Sequence, residues 1–110
     1  MPPEELHLKI LRLLEEDPTR SQRALARELG VSVGSTNHAL HALLDRGWVK
    51  VQNFRRSDRK RGYLYRLTPS GLQEKARLAW HFLQRKRAEH EALMAEIEQL
   101  RSEVQGQEHD

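Results

Sequence analysis

His38 and His41 lie three residues apart, and Asp45 follows four later. On a helix, at ~100° per residue, that spacing sets all three on one face. Three chemistries could use them. Imidazoles one turn apart can hold a metal ion, but Asp45 is the only further donor within a turn, too few ligands for a site. Ser35 precedes His38, yet no carboxylate is placed to orient the imidazole, and the glycine turn before it lacks a strand-to-helix elbow. Recognition is the third. Asn pairs with adenine and His donates or accepts at base edges, so Val33, Gly34, Asn37, His38 and His41 suit a helix lying in the DNA major groove. The expectation is no enzyme, no cofactor and no metal, with those five residues as base contacts.

Such a face needs a scaffold, and Ser21 to Gly47 supplies one: two short helices joined by a tight turn. Leu25, Ala26 and Leu29 recur at helical spacing, and Gly30 follows them, where a left-handed residue is needed to leave the helix. Val31 fills the corner and Ser32 caps the second helix. Thr36, Ala39, Leu40, Leu43 and Leu44 share that helix's inner face, and Gly47 stops it. An ordinary helical hairpin whose polar face meets only water shares the periodicity. The run Leu-Ala-x-x-Leu-Gly-Val-Ser, with a capped helix directly after it, is narrower and selects a helix-turn-helix. In that motif the first helix crosses the phosphate backbone, which makes Ser21, Gln22 and Arg23, with Ser35, the candidate phosphate contacts.

The flanking elements follow from pattern. Pro3 to Glu15 reads as a first helix with Leu6, Ile10, Leu13 and Leu14 buried and Leu11 widening the stripe; His7 falls at its edge, on the surface. Thr19 to Ser21 is an extended link. After the second helix of the motif, Trp48–Phe54 and Gly62–Thr68 alternate and are rich in β-branched and aromatic residues, so they predict a β-hairpin. Its connection, Arg55 to Arg61, carries five positive charges and one negative. Beside a recognition helix, a basic tip of this kind is a wing that reaches phosphates or the minor groove. Arg55, Arg56, Asp58, Arg59, Lys60 and Arg61 form it. The bland reading of the same charges is a solvated loop that keeps strand edges apart.

Composition sets bounds. The chain has 110 residues, 37% of them hydrophobic and 32% charged, which supports a small core plus an extended, solvated element. Cysteine is absent, so disulfides and thiolate chemistry are excluded. The N-terminus lacks the pattern of a signal peptide and no run is apolar enough to span a bilayer, so a cytoplasmic, membrane-free protein is expected. The net charge of +3 divides unevenly: residues 1–68 carry +5 and residues 69–110 carry −2. The positive part holds the two-helix motif, as nucleic-acid binding requires.

Thr68 and Pro69 open a last helix with no breaker until Gly106, and Gly106 to Asp110 reads as a frayed tail. Leu83, His90, Ile97 and Val104 occupy one heptad position, and Leu93 and Leu100 the other. Leu78, Trp80 and Phe82 lie off that seam, so the first half is also expected to pack on the winged part. The second half reads as a short parallel coiled coil, with Glu96 facing Arg101 of the partner subunit. A lone amphipathic helix folded back on its own domain is the alternative. The expected organisation is a winged helix-turn-helix over 1–68 and a dimerising helix over 69–110, mainly α with a small β-hairpin.

SQRALARELGVS, DRGWV and SDRKRGYLYRLTPSG together resemble MarR-type winged-helix transcription regulators. In that family an Asp-x-Arg wing motif precedes a strand ending in Leu-Thr-x-x-Gly, matched here by Asp58 and by Leu67, Thr68 and Gly71. Lys60 stands where the motif has arginine, and the interval from Asp58 to Thr68 is one residue longer than the pattern. The overall arrangement is similar to a small bacterial subgroup described as exopolysaccharide-associated. The resemblance implies a dimeric regulator of transcription on an inverted-repeat operator in double-stranded DNA. Whether a small-molecule effector acts is left open, because only one short helix precedes the motif where larger members have additional helices. The rival expectation is a winged helix that joins protein subunits, its basic wing serving an acidic partner.

Overall fold

The computed structural model describes residues 1–55 and 61–108. Its elements run α1 (Pro3–Glu16), α2 (Gln22–Leu29), α3 (Val33–Asp45), β1 (Val49–Arg55), β2 (Arg61–Leu67) and α4 (Pro69–Glu108). Contacts divide the chain into a unit from Met1 to Ala79 and a second that begins at Trp80.

The first unit is built on leucine stripes. α1 starts at a proline, with Glu4 and Glu5 in its first turn, where carboxylates favour the positive end of the helix dipole. It buries Leu6, Leu8, Ile10, Leu11 and Leu14. Leu8 replaces Leu13 in the expected stripe. Leu13 is only half-buried, because α1 is enclosed on the side that Leu11 and Leu8 share. Ile10, Leu11 and Leu14 meet Leu25 of α2, Leu40 and Leu43 of α3 and Leu78 of α4 in a core where each is almost wholly out of water.

Two left-handed glycines set the corners. Gly30 has φ +68°, and the Val31 N–H donates to the Ala26 carbonyl at 3.1 Å. Gly47 has φ +72°, and the Trp48 N–H donates to the Leu43 carbonyl at 3.0 Å. The same device therefore ends α2 and α3, returning the chain each time without an unsatisfied helix end. Between α1 and α2 a turn at Pro18 and Thr19 takes up the start of the expected extended link, and Ser21 is extended as expected, at φ −77° and ψ 165°. Asp17 accepts from the Thr19 N–H at 2.9 Å and from its hydroxyl, which draws the segment closed and holds the Asp17 carboxyl below its ordinary pKa. Arg20 fastens it further, donating to the Leu13 carbonyl and pairing with Glu28 at 2.8 Å.

β1 and β2 pair antiparallel with Val49 opposite Leu67, Lys50 opposite Arg66 and Val51 opposite Tyr65. Val49 is buried, so its face of the hairpin turns inward and Lys50 and Arg66 share the other. The Tyr65 N–H donates to the Pro18 carbonyl at 3.1 Å, tying β2 to the turn after α1. α4 is seated on the other end of the hairpin. Thr68 N–H donates to the Trp48 carbonyl at 3.0 Å, its hydroxyl donates to the Gly47 carbonyl, and that hydroxyl caps α4 by accepting the Gly71 N–H at 3.1 Å. Lys75 pairs with Glu15 at 2.8 Å, and of the three off-seam residues expected to pack, Leu78 is buried and Phe82 half-buried, but Trp80 is not.

α4 continues through Gly106 to Glu108, so Gly106 is not a breaker and the expected frayed tail is helical this far. One exposed glycine costs a helix only about 1 kcal/mol relative to alanine, too little to end it. In the second unit Trp80 is 60% exposed, its ring edge-on to His81, and Arg85 lies 5.3 Å over the Phe82 ring.

Candidate nucleic-acid interface

α3 separates its residues sharply. Thr36, Ala39, Leu40 and Leu43 are buried, whereas Val33, Gly34, Ser35, His38, His41 and Asp45 are exposed. Four of the five expected base-contact residues, Val33, Gly34, His38 and His41, therefore share one open face. The buried threonine is no defect, since its hydroxyl donates to the Ser32 carbonyl at 3.0 Å. At the start of the helix, Ser32 Oγ accepts the Ser35 N–H at 3.0 Å and donates to Ser35 Oγ at the same distance. Ser35 thus keeps its own hydroxyl hydrogen for an outside acceptor.

Asn37, the fifth, is half-buried and engaged. Its Nδ2 donates to Gln22 Oε1 at 2.9 Å, across the gap between α3 and the first residue of α2. Sequence reasoning placed these two residues on different contacts, one base and one phosphate; they are fifteen positions apart and only the packing of α2 on α3 joins them. Ser21 caps α2 by accepting the Ala24 N–H at 3.1 Å, and Arg23 is exposed beside it. Ser21, Gln22 and Arg23 thus cluster at the end of α2 that meets α3.

The hairpin brings Arg55 and Arg61 opposite each other at its far end. Arg56, Asp58, Arg59 and Lys60, also expected in the wing, lie outside the described residues. The register adds two cations that pattern alone did not single out. Lys50 and Arg66 are exposed cross-strand partners, a like-charge pairing that costs a sheet a few tenths of a kcal/mol. Strand alternation would have put them on the outer face; only the register makes them neighbours. Nearby, the Arg46 guanidinium lies 5.0 Å over the Trp48 ring.

On α1, His7 is half-buried rather than on the surface. Burial depresses its pKa below 6.5, and the positive charge of Arg46 adds to the effect. Glu74 is buried on α4, where Arg77 grips both its carboxylate oxygens and holds its pKa below 4.5. Among the described residues, no three of His, Cys, Asp and Glu come together as a metal site, and no helix is long and apolar enough to cross a membrane.

On the second unit, Leu83, Leu93, Leu100 and Val104 are each about half exposed, and Ile97 is 36% exposed. His90 is exposed with them. Their heptad spacing gathers the six expected dimerisation residues along one stripe of the helix.

A family model described as winged helix-turn-helix DNA-binding matches residues 3–50. No curated protein matches the chain. Among solved structures, the chain is similar to the PcaV transcriptional regulator of Streptomyces coelicolor, at 23% identity and a TM-score of 0.60, over 74% of this chain and 57% of that one. A MarR/EmrR family transcriptional regulator from Acinetobacter matches at 20% identity and TM-score 0.58, covering 89% of this chain and 73% of that one. The transcriptional regulator BldR of Sulfolobus solfataricus matches at 25% identity and TM-score 0.57, covering 76% and 60%. The chain thus spans a little over half the length of PcaV and of BldR. Its helix-turn-helix and hairpin are those of a winged helix. Each of these three structures is of a transcriptional regulator. Nothing in these likenesses concerns the exopolysaccharide-associated subgroup.

Proposed function

Starting from a chain with a winged helix-turn-helix DNA-binding region over residues 3–50 and the fold of MarR-family transcriptional regulators, we propose that it regulates transcription by binding specific sequences in double-stranded DNA. The observation that carries this reading is the open face of α3. A helix that presents Val33, Gly34, His38 and His41 to solvent, with no Phe, Tyr or Trp among them, fits the ~12 Å width of the major groove. His38 and His41 read base edges in this arrangement, Asn37 reads adenine, and Val33 and Gly34 allow close approach. Ser35, with its hydroxyl hydrogen free, donates to a phosphate, and Ser21 and Arg23 hold the backbone on the α2 side. The five cations between Arg55 and Arg61 add positive charge for nearby phosphates.

The protein acts as a homodimer in the cytoplasm of a bacterial cell. The support is the apolar stripe of the second unit, where Leu83, Leu93, Leu100 and Val104 lie about half exposed along one face, a contiguous patch of the kind that marks an interaction surface. A parallel partner covers them and sets Glu96 against Arg101 of the partner subunit, whereas an antiparallel one would set glutamates together. A symmetric dimer reads an inverted repeat whose half-sites are centred about 34 Å apart, or a multiple of that.

Selection of bound duplexes from a randomised pool at about 150 mM salt tests the reading. Enrichment of one inverted repeat is expected. Binding without enrichment would mean a sequence-neutral backbone binder. No binding, with an acidic protein co-purifying, would make this winged helix a subunit-joining module instead.

A further inference from the structure

The hydrogen bond between Asn37 and Gln22 changes what each residue can do. We infer that Gln22 is a positioning residue that fixes the side-chain amide of Asn37 for an A·T base pair, and so determines specificity at that pair without reading it. The inference rests on the groove reading of α3 given above and assigns Gln22 a role other than the phosphate contact that its place at the start of α2 suggested.

Adenine offers N7 as an acceptor and its N6 amino group as a donor on the major-groove edge. An asparagine meets both only when its carbonyl oxygen and one amide hydrogen face the base together. Free in water, the amide turns about its last side-chain torsion, and half a turn exchanges oxygen for nitrogen. The bond to Gln22 ties that torsion to the orientation of a second, half-buried amide. With Gln22 Oε1 as the acceptor, Asn37 Nδ2 points to α2. That nitrogen has a second hydrogen, and Oδ1 is left with no partner on the protein among the described hydrogen bonds, so the pair of groups that adenine requires stays available. Both residues are half-buried, which shields the bond from competing water. Gln22 is the first residue of a helix whose cap, Ser21, is already satisfied, so its side chain is not needed to end α2.

The test uses the full chain and an operator recovered by the selection above, with each base pair changed in turn. Asn37→Ala should abolish preference at one A·T pair, on the order of tenfold to a hundredfold. Gln22→Ala should weaken preference at the same pair by roughly three- to tenfold, the cost of ordering one free polar side chain on binding. It should leave affinity for duplexes altered at that pair almost unchanged, and the double variant should discriminate no worse than Asn37→Ala alone. Gln22→Glu keeps an acceptor for Asn37 and suits the start of a helix, so it should restore preference at that pair even as its charge lowers affinity for every duplex. The inference is overturned if Gln22→Ala weakens all duplexes equally, the sequence-independent loss that a phosphate contact gives, or if the two substitutions lose discrimination independently. A wild-type chain that enriches no sequence would instead remove the groove reading, and this assignment with it.

Discussion

Gly71→Ala should destabilise the N-terminal unit, even though it places a better helix former inside a helix. A Cβ on Gly71 would lie 1.9 Å from the Trp48 carbonyl oxygen and 2.8 Å from its carbon, where real Cβ atoms essentially never come within 3.0 Å. Relief requires two backbones to separate by more than an ångström. Neither is free to move, because the Trp48 carbonyl accepts from Thr68 and the Thr68 hydroxyl binds both Gly47 and Gly71. Overpacking typically costs about 1–3 kcal/mol, and a pinned backbone belongs at the upper end. Helix propensity returns about 1 kcal/mol. The net loss is about 2 kcal/mol, equivalent to a fall in Tm of roughly 10 °C for a unit of this size. Native-state hydrogen exchange reads it directly: amides of Leu40 and Leu43, buried at the centre of the unit, should exchange about 30-fold faster. Gly106→Ala is the control, since nothing lies within 4 Å of its added methyl. It should leave those amides alone. Equal protection in Gly71→Ala and the unsubstituted chain would refute the argument.

Replacing Arg59, Lys60 and Arg61 by alanine should make the slope of log affinity against log salt shallower by roughly 2 to 3, and an unchanged slope would take the wing off the DNA. Glu74 gains stability from Arg77 that is complete above pH 4.5, its unfolded value, and is lost as pH falls through the depressed folded value. Glu74→Gln should therefore flatten the acid limb of unfolding free energy against pH; identical limbs would show that the pair does not contribute. Ile97→Lys places a charge in the middle of the exposed stripe and should yield a monomer by sedimentation equilibrium, whereas an intact dimer would put the contact elsewhere.

The helix-turn-helix was legible because its parts are local. Gly30, Ser32 and the leucines between Leu25 and Leu43 each answer to a rule acting within four residues, and each lies where that rule puts it. Thr68 and Gly71 were legible as a family pattern; the structure adds the reason, a hydroxyl that caps α4 and a glycine that admits the Trp48 carbonyl. Leu8 was missed because period alone does not say which flank of α1 is enclosed. Gly106 was overrated because a propensity of about 1 kcal/mol does not end a long helix. The Gln22–Asn37 bond was beyond reach in principle, since a contact between side chains fifteen residues apart depends on how two helices cross. Lys50 and Arg66 became a pair only when the strands acquired a register.

The two tryptophans were divided between the units, and this has an optical consequence. Trp48 is half-buried beneath the Arg46 guanidinium in the first unit, while Trp80 stands 60% exposed in the second. Indole emission moves to longer wavelength in water and is quenched by solutes that reach the ring. Iodide should therefore silence Trp80 first and leave a bluer band from Trp48. With Trp80→Phe, the remaining emission reports the DNA-facing unit alone; with Trp48→Phe, it reports the long helix. The chain thus carries an intrinsic pair of lamps, one for the event on each half.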